Sequence, residues 1–426
     1  MTSATTRAPR REGISLDLDT IRNVLVTTLI IGLPFALKYL LLVNVHSPHL
    51  QRFYLRATLV GPLDVILVLL ALASIPVLIR RDTYRGWPIG LIGIAAFTVV
   101  TLLFLLPDPT TEGVVRLIRL AGITGLVATV RWMSPPTWRL AVVWPLTISV
   151  GIQAIWTISQ TFIFHNGRET SITARFDHLW THGEGTMDGG YALAAFMVLG
   201  IAIILSSGAF ERLHPVMWGT VVLASGAISA TFGRQGVLAA VAIAGLYGIA
   251  WIVKRKKIYL ASSLAAGVPM TIGVAVAWEG WNVRAAETAA GEQWGRESLI
   301  DRALSVIQAN PIFGVGPADY GPALARMGLT DVDITIVHNV PLLIAAEYGI
   351  PVGVLFTLWI GLLGLAALFT SVRAAAVFVA VAPYLIFDHP HIVYVYAIIQ
   401  LGLWLSVLDY HRLWESGAAK QGVGSA

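Results

Sequence analysis

The residues best suited to chemistry are a histidine and two arginines set among proline and glycine turns. His338 stands immediately before Asn339-Val340-Pro341. Asparagine as N-cap and proline in the first turn predict that a helix begins there. The positive end of that helix disfavours imidazolium, so the ring stays neutral and can act as a general base. An interfacial histidine that caps a helix or bonds a carbonyl would leave the same local signature.

Arg296 opens a stretch, Arg296 to Gln308, with the pattern of an amphipathic helix. Ile300, Ala303 and Ile307 follow it at i+4, i+7 and i+11, which puts the arginine on the apolar face. A guanidinium held there can clamp a phosphate through paired hydrogen bonds, or snorkel to water along its own stem. Arg302 lies off that face and reads as solvated. Arg234 sits in Ser229-Ala230-Thr231-Phe232-Gly233-Arg234-Gln235-Gly236 at the end of an apolar run. An arginine at membrane depth is costly and usually marks a site or a pathway, whereas a span boundary shifted by one turn would make it a loop residue.

Asn310-Pro311 ends the first helix, because the residue before proline avoids the α region. Gly314-Val315-Gly316-Pro317 then reads as a turn. This lone GxG follows a helix, not a strand, and is no nucleotide signature. Arg175, Asp177, His178, His182, Glu184 and Asp188 crowd another loop. Only His178–His182 has helical ligand spacing, and the mixed nitrogen and oxygen donors select no metal. A solvated loop is expected, with no metal and no other cofactor. Asp64 and Lys38 lie in or near spans, where a proton relay, pairing with a neighbouring helix or snorkelling would each account for them. Between Glu279 and His338 eight acids stand against four bases. An anion there must be held by particular arginines and not by the overall field.

The elements that must position these residues are membrane helices. The 426 residues are 56% hydrophobic and 12% charged, with mean hydropathy +0.74. Soluble domains carry about twice that charge. Apolar runs of roughly 18–25 residues predict an all-α polytopic membrane protein, and their continuity disfavours a β-barrel. Cysteine is absent, which excludes disulfides and thiolate chemistry. The net charge of +5 reports topology, so no nucleic-acid partner is expected. Met1 to Asp19 lacks the apolar core of a cleaved signal.

About twelve spans are expected, near 22–45, 59–79, 88–106, 114–130, 138–163, 188–208, 215–232, 236–253, 258–278, 351–371, 374–387 and 391–409. The eleventh is short enough to be partly re-entrant. The Lys254–Lys257 cluster places both termini in the cytoplasm, with 1–21 and 410–426 as tails. His165 to Asp188 and the loop 279–350 then face outward. Residues 1–426 read as one integral domain, with the proposed site in 279–350.

Three stretches carry a resemblance to the O-antigen ligase and polysaccharide polymerase family. Ser229–Gly236 resembles its motif of small residues with an arginine. Gly295-Arg296 followed by Asn310-Pro311-Ile312-Phe313-Gly314-Val315-Gly316-Pro317 resembles its loop signature. His338-Asn339 with Ala346-Glu347-Tyr348-Gly349-Ile350-Pro351 resembles its histidine motif. The resemblance extends over the chain but is sharpest at 229–236 and 295–351. Thr186-Met187-Asp188-Gly189-Gly190 departs from the asparagine-bearing segment expected there.

The resemblance implies a GT-C-like fold of about twelve helices with a large helical extracytoplasmic loop. It implies transfer of a glycan from a polyprenyl (undecaprenyl) diphosphate donor to a glycan or glycolipid acceptor hydroxyl. That reaction would run at the outer face of the cytoplasmic membrane, with inversion and without metal. His338 would be the base. Arg234 and Arg296 would hold the diphosphate, with Arg175, Arg302 and Asn339 as further candidates. A polymerase needs the same groups. A lipid or polysaccharide transporter is the alternative of another class, expected to show paired ionisable groups in broken helices and repeated halves.

Overall fold

The computed structural model describes residues 17–35, 60–80, 88–164, 190–207, 214–287, 293–329, 336–387 and 395–415. Lys38, Arg175, Asp177, His178, His182, Glu184 and Asp188 lie outside the described residues, so the expectations for them are not addressed by the structure.

The described residues are helical nearly throughout. In chain order the long elements are α1 (Leu18–Gly32), α2 (Pro62–Ile79), α3 (Ile89–Leu105), α4 (Thr111–Arg131), α5 (Pro135–Phe164), α6 (Gly190–Ser206), α7 (Pro215–Ala230), α8 (Arg234–Lys254) and α9 (Lys257–Val276). The polar stretch follows as α10 (Trp278–Glu287), α11 (Gln293–Ala309), α12 (Tyr320–Arg326) and α13 (Val340–Tyr348). The chain returns to apolar helices in α14 (Ile350–Thr370), α15 (Val372–Phe387) and α16 (Val395–Glu415). Among the described residues, seven helices are long and apolar enough to cross a membrane, and four shorter ones are similarly apolar. The chain is a polytopic helical membrane protein.

The boundaries follow local chemistry. The first helix begins at Leu18, four residues before the expected span, because the Asp17 carboxylate accepts the Thr20 N–H at 2.6 Å and caps it. It gives way to a 3-10 turn at Leu33-Pro34, where proline supplies no backbone donor. At the other end, α16 runs to Glu415, past the expected limit of 409, with Arg412 in its last turn. The eleventh expected span is an ordinary helix, α15, with Pro383 near its end.

The core is organised around α4. Of its most apolar stretch, 78% is buried inside the protein, against 28% for α14 and 22% for α9. It touches α2, α3 and α16. This central helix carries Arg116, Arg119 and Arg131, all buried. Arg119 forks onto Asp64 of α2, with Nε to Oδ1 at 2.7 Å and Nη2 to Oδ2 at 3.4 Å. Asp64 also accepts the Gly61 N–H at 2.8 Å. Pairing with a neighbouring helix therefore accounts for Asp64. At the far end of α3, buried Asp409 of α16 accepts the Gly90 and Leu91 N–H groups at 3.0 and 2.7 Å. Those are donors that a helix start leaves without intrahelical partners.

Candidate active site

The site is built from α13 outward. Asn339 is its N-cap: Oδ1 accepts the Leu342 N–H at 2.9 Å, and Pro341 occupies the first turn. The Asn339 Nδ2 donates to the Ile386 carbonyl at 3.0 Å, so the same amide tethers this turn to the end of α15. His338, half-buried, directly precedes that cap. Asn339 is thus committed to positioning the histidine turn.

The opposite end of α13 is closed by the glycine-proline turn. The N–H groups of Val315 and Gly316 donate to the carbonyls of Ala346 and Glu347 at 3.0 and 2.8 Å, and Ile350 N–H donates to the Pro311 carbonyl at 2.8 Å. These bonds satisfy carbonyls that a helix end leaves open. Two glycines make the approach possible. Gly349 has φ 87° and faces the Ile312 carbonyl, and Gly314 has φ 65° and lies against the Glu347–Tyr348 peptide. A β-carbon at either would overlap backbone.

Glu347 is the hub. Its side chain is 1% exposed and pairs with Arg116 of α4, while the Ala318 N–H donates to it. Burial pushes the carboxyl above its usual range, and Arg116 and Ala318 oppose that push. Next to it, the Tyr348 hydroxyl bonds Thr101 of α3 at 3.0 Å, and burial drives that hydroxyl up to about 12. The Tyr348 ring packs on Phe97 and Phe104, with centroids at 5.2 and 5.3 Å. A buried ion pair and an aromatic cluster thus weld the loop helix to the membrane bundle.

Arg234 reaches the same region by another route. It is the first residue of α8, after a turn in which Phe232 adopts φ 51°. Phe232 is buried against Trp281 of α10, ring centroids 5.6 Å apart. A non-glycine residue in that conformation is strained and must be held by its surroundings. A β-carbon on Gly236, in the first turn of α8, would stand 3.1 Å from the Tyr384 hydroxyl of α15 and 2.8 Å from Ala194 of α6. Tyr384 lies two residues before Ile386, the residue tethered by Asn339. The histidine turn and the arginine turn therefore rest on the same last turn of α15. Helix α6 packs against both α8 and α15.

The long helix of the loop, α11, packs against α13. Its buried stripe is Leu299, Ala303, Val306 and Ile307, whereas Ile300 is 42% exposed. The apolar face is therefore rotated from the Ile300-Ala303-Ile307 line expected from sequence, because packing on α13 selects Leu299 and Val306. Arg296 lies in the first turn of α11, three residues before Leu299, and so at a register close to that stripe. Arg302 corrects the expectation of a solvated residue: it is half-buried and close enough to Tyr320 to act on its hydroxyl. Tyr320 is wholly buried and its hydroxyl is pushed well above the ordinary range by burial.

The sequence reading missed Arg116, Glu347 and Tyr384 as parts of this assembly. The available signal was Arg116 and Arg119, three residues apart in an otherwise apolar span, which require buried acids nearby.

Residues 219–357 match the family model described as Wzy_C, O-antigen ligase. Over that segment the chain is similar to O-antigen ligases. The match runs from α7 through the Arg234 turn, the loop helices and α13 into α14. No curated protein matches the chain. This similarity supports glycan transfer of the ligase or polymerase type.

Proposed function

We propose that this protein transfers a glycan from a polyprenyl diphosphate carrier to an acceptor hydroxyl at the outer face of the cytoplasmic membrane. The observation that carries the proposal is that the His338 turn and the Arg234 turn, both within the family match, each contact the last turn of α15. Each turn opens a helix whose N-terminal end favours negative charge, which suits a diphosphate.

In the proposed step, His338 accepts the proton of the acceptor hydroxyl as its oxygen attacks the anomeric carbon. The bond from that carbon to the phosphate oxygen breaks, and polyprenyl diphosphate leaves with the electron pair. Arg234 and Arg296 hold the diphosphate and balance the charge that develops on it. One displacement inverts the anomeric centre. A diphosphate is a competent leaving group, so positioning and positive charge matter more than a protonating acid. The ligand assignment for Arg296 rests on its register on α11 and on the loop motif it opens. Undecaprenyl diphosphate carriers and lipopolysaccharide-type acceptors fit this reading of the family.

The test is reconstitution in nanodiscs with a polyprenyl-diphosphate glycan and a hydroxyl acceptor in the presence of chelator. Free carrier and product length are followed together. One glycan per acceptor supports the ligase reaction, and a ladder of lengths reassigns the protein as a polymerase. Movement of intact donor across the bilayer without carrier release would overturn the proposal in favour of transport.

A further inference from the structure

We infer that the Pro311-Ile312-Phe313 turn is seated in the bilayer interface and covered by the same membrane lipid that covers α14. Ile312 and Phe313 are 63% and 73% exposed, at the tip of a turn whose backbone is fixed on both sides. Two large apolar side chains pointing outward from a rigid turn need a cover.

The structure says which cover. The Ile350 N–H holds the Pro311 carbonyl at 2.8 Å, and Ile350 is the first residue of α14. That helix has 21 residues, which at about 1.5 Å each spans roughly the 30 Å of a hydrocarbon core. Its outer face is apolar from end to end, with Ile350 45%, Leu355 65%, Leu358 58% and Phe369 88% exposed. The turn is bonded to the rim of that lipid-facing surface and continues it. Residues 303–318 carry no charge, within a loop that is otherwise rich in acids. Leu106, 68% exposed at the end of α3, adds to the same rim, because α3 packs against α14.

The consequence is mechanical. The turn is hydrogen-bonded to the C-terminal end of α13, and α13 carries His338 at its other end. A turn anchored in lipid fixes the height of the histidine helix relative to the membrane surface. This inference depends on α14 being a span and not on the proposed chemistry.

The protein contains no cysteine, so single labels are placed without background. Nitroxides at Phe313→Cys, at Leu358→Cys as the lipid standard and at Lys256→Cys as the aqueous standard are compared in nanodiscs that contain no polyprenyl diphosphate. Collisions with oxygen exceeding those with an aqueous nickel chelate, at a level between the two standards, support the inference. Nickel accessibility equal to that of Lys256→Cys overturns it. So does shielding that appears only after polyprenyl diphosphate is added, which would assign the surface to the donor chain. Ile312→Cys supplies a second reading of the same turn if the Phe313 variant fails to fold.

Discussion

Removing Arg116 tests whether the loop is held to the bundle through Glu347. In Arg116→Met the Glu347 carboxylate, 1% exposed, loses its cationic partner and keeps the Ala318 N–H. Breaking a buried pair by deleting one member costs about 3–5 kcal/mol. The acid can escape part of that cost by taking up a proton. Relative to an unfolded glutamate with pKa about 4.3, doing so at pH 7 costs about 4 kcal/mol, at about 1.4 kcal/mol per unit. The two routes give similar magnitudes, so a loss of about 3–4 kcal/mol is expected at pH 7.

The sign of the pH effect follows from the same residue. A carboxyl whose folded pKa lies above its unfolded value favours the folded state at low pH and loses that contribution as pH rises. The deficit of Arg116→Met should therefore shrink by about 2 kcal/mol from pH 7 to pH 5.5, measured against the parent at each pH. Adding Glu347→Gln removes the orphaned charge, retains an acceptor for Ala318, and should restore most of the stability at both pH values. Unfolding in mixed micelles gives these quantities. A deficit below about 1 kcal/mol, or one that Glu347→Gln fails to relieve, would refute the reasoning.

Gly349→Ala forces a β-carbon towards the Ile312 carbonyl at a positive φ, and should cost about 2 kcal/mol or more. Limited proteolysis between residues 310 and 320 reports the loosened turn. Asn339→Ala loses the α13 cap and the Ile386 tether and should cost about 1 kcal/mol, while Asn339→Asp retains the cap and most of that stability. Thermal unfolding distinguishes the two variants. Asp409→Ala strips the Gly90 and Leu91 N–H groups of their acceptor and should cost about 3 kcal/mol by the same measurement. Gly236→Ala brings a methyl within 2.8 Å of the Ala194 β-carbon and should separate α8 from α6, reducing glycan transfer more than it reduces expression.

The membrane architecture was legible because apolar runs report lipid burial directly, and most observed helices begin within a few residues of the expected spans. The helix after Asn339 and the turn after Asn310 were legible because asparagine, proline and glycine have local conformational meaning. What could not be read was pairing between distant residues. Glu347 looks like one polar position in a short helix until α4 brings Arg116 against it. Ile300 fits the apolar period of α11 as well as Leu299 does, and only packing against α13 separates them. Arg302 was read as solvated because Tyr320, the residue whose hydroxyl feels its charge, lies in a different helix. The contacts of the Arg234 and His338 turns with α15 were not legible, because the α15 residues carry no motif.

The most direct test of the account is the rate of polyprenyl diphosphate release by the parent protein, His338→Ala and His338→Gln, with donor, acceptor and chelator present. A general base contributes about 10²–10⁴-fold, so both variants should fall by that order while retaining the parent's unfolding temperature. Release from either variant as fast as from the parent would contradict the assignment of His338 as the base.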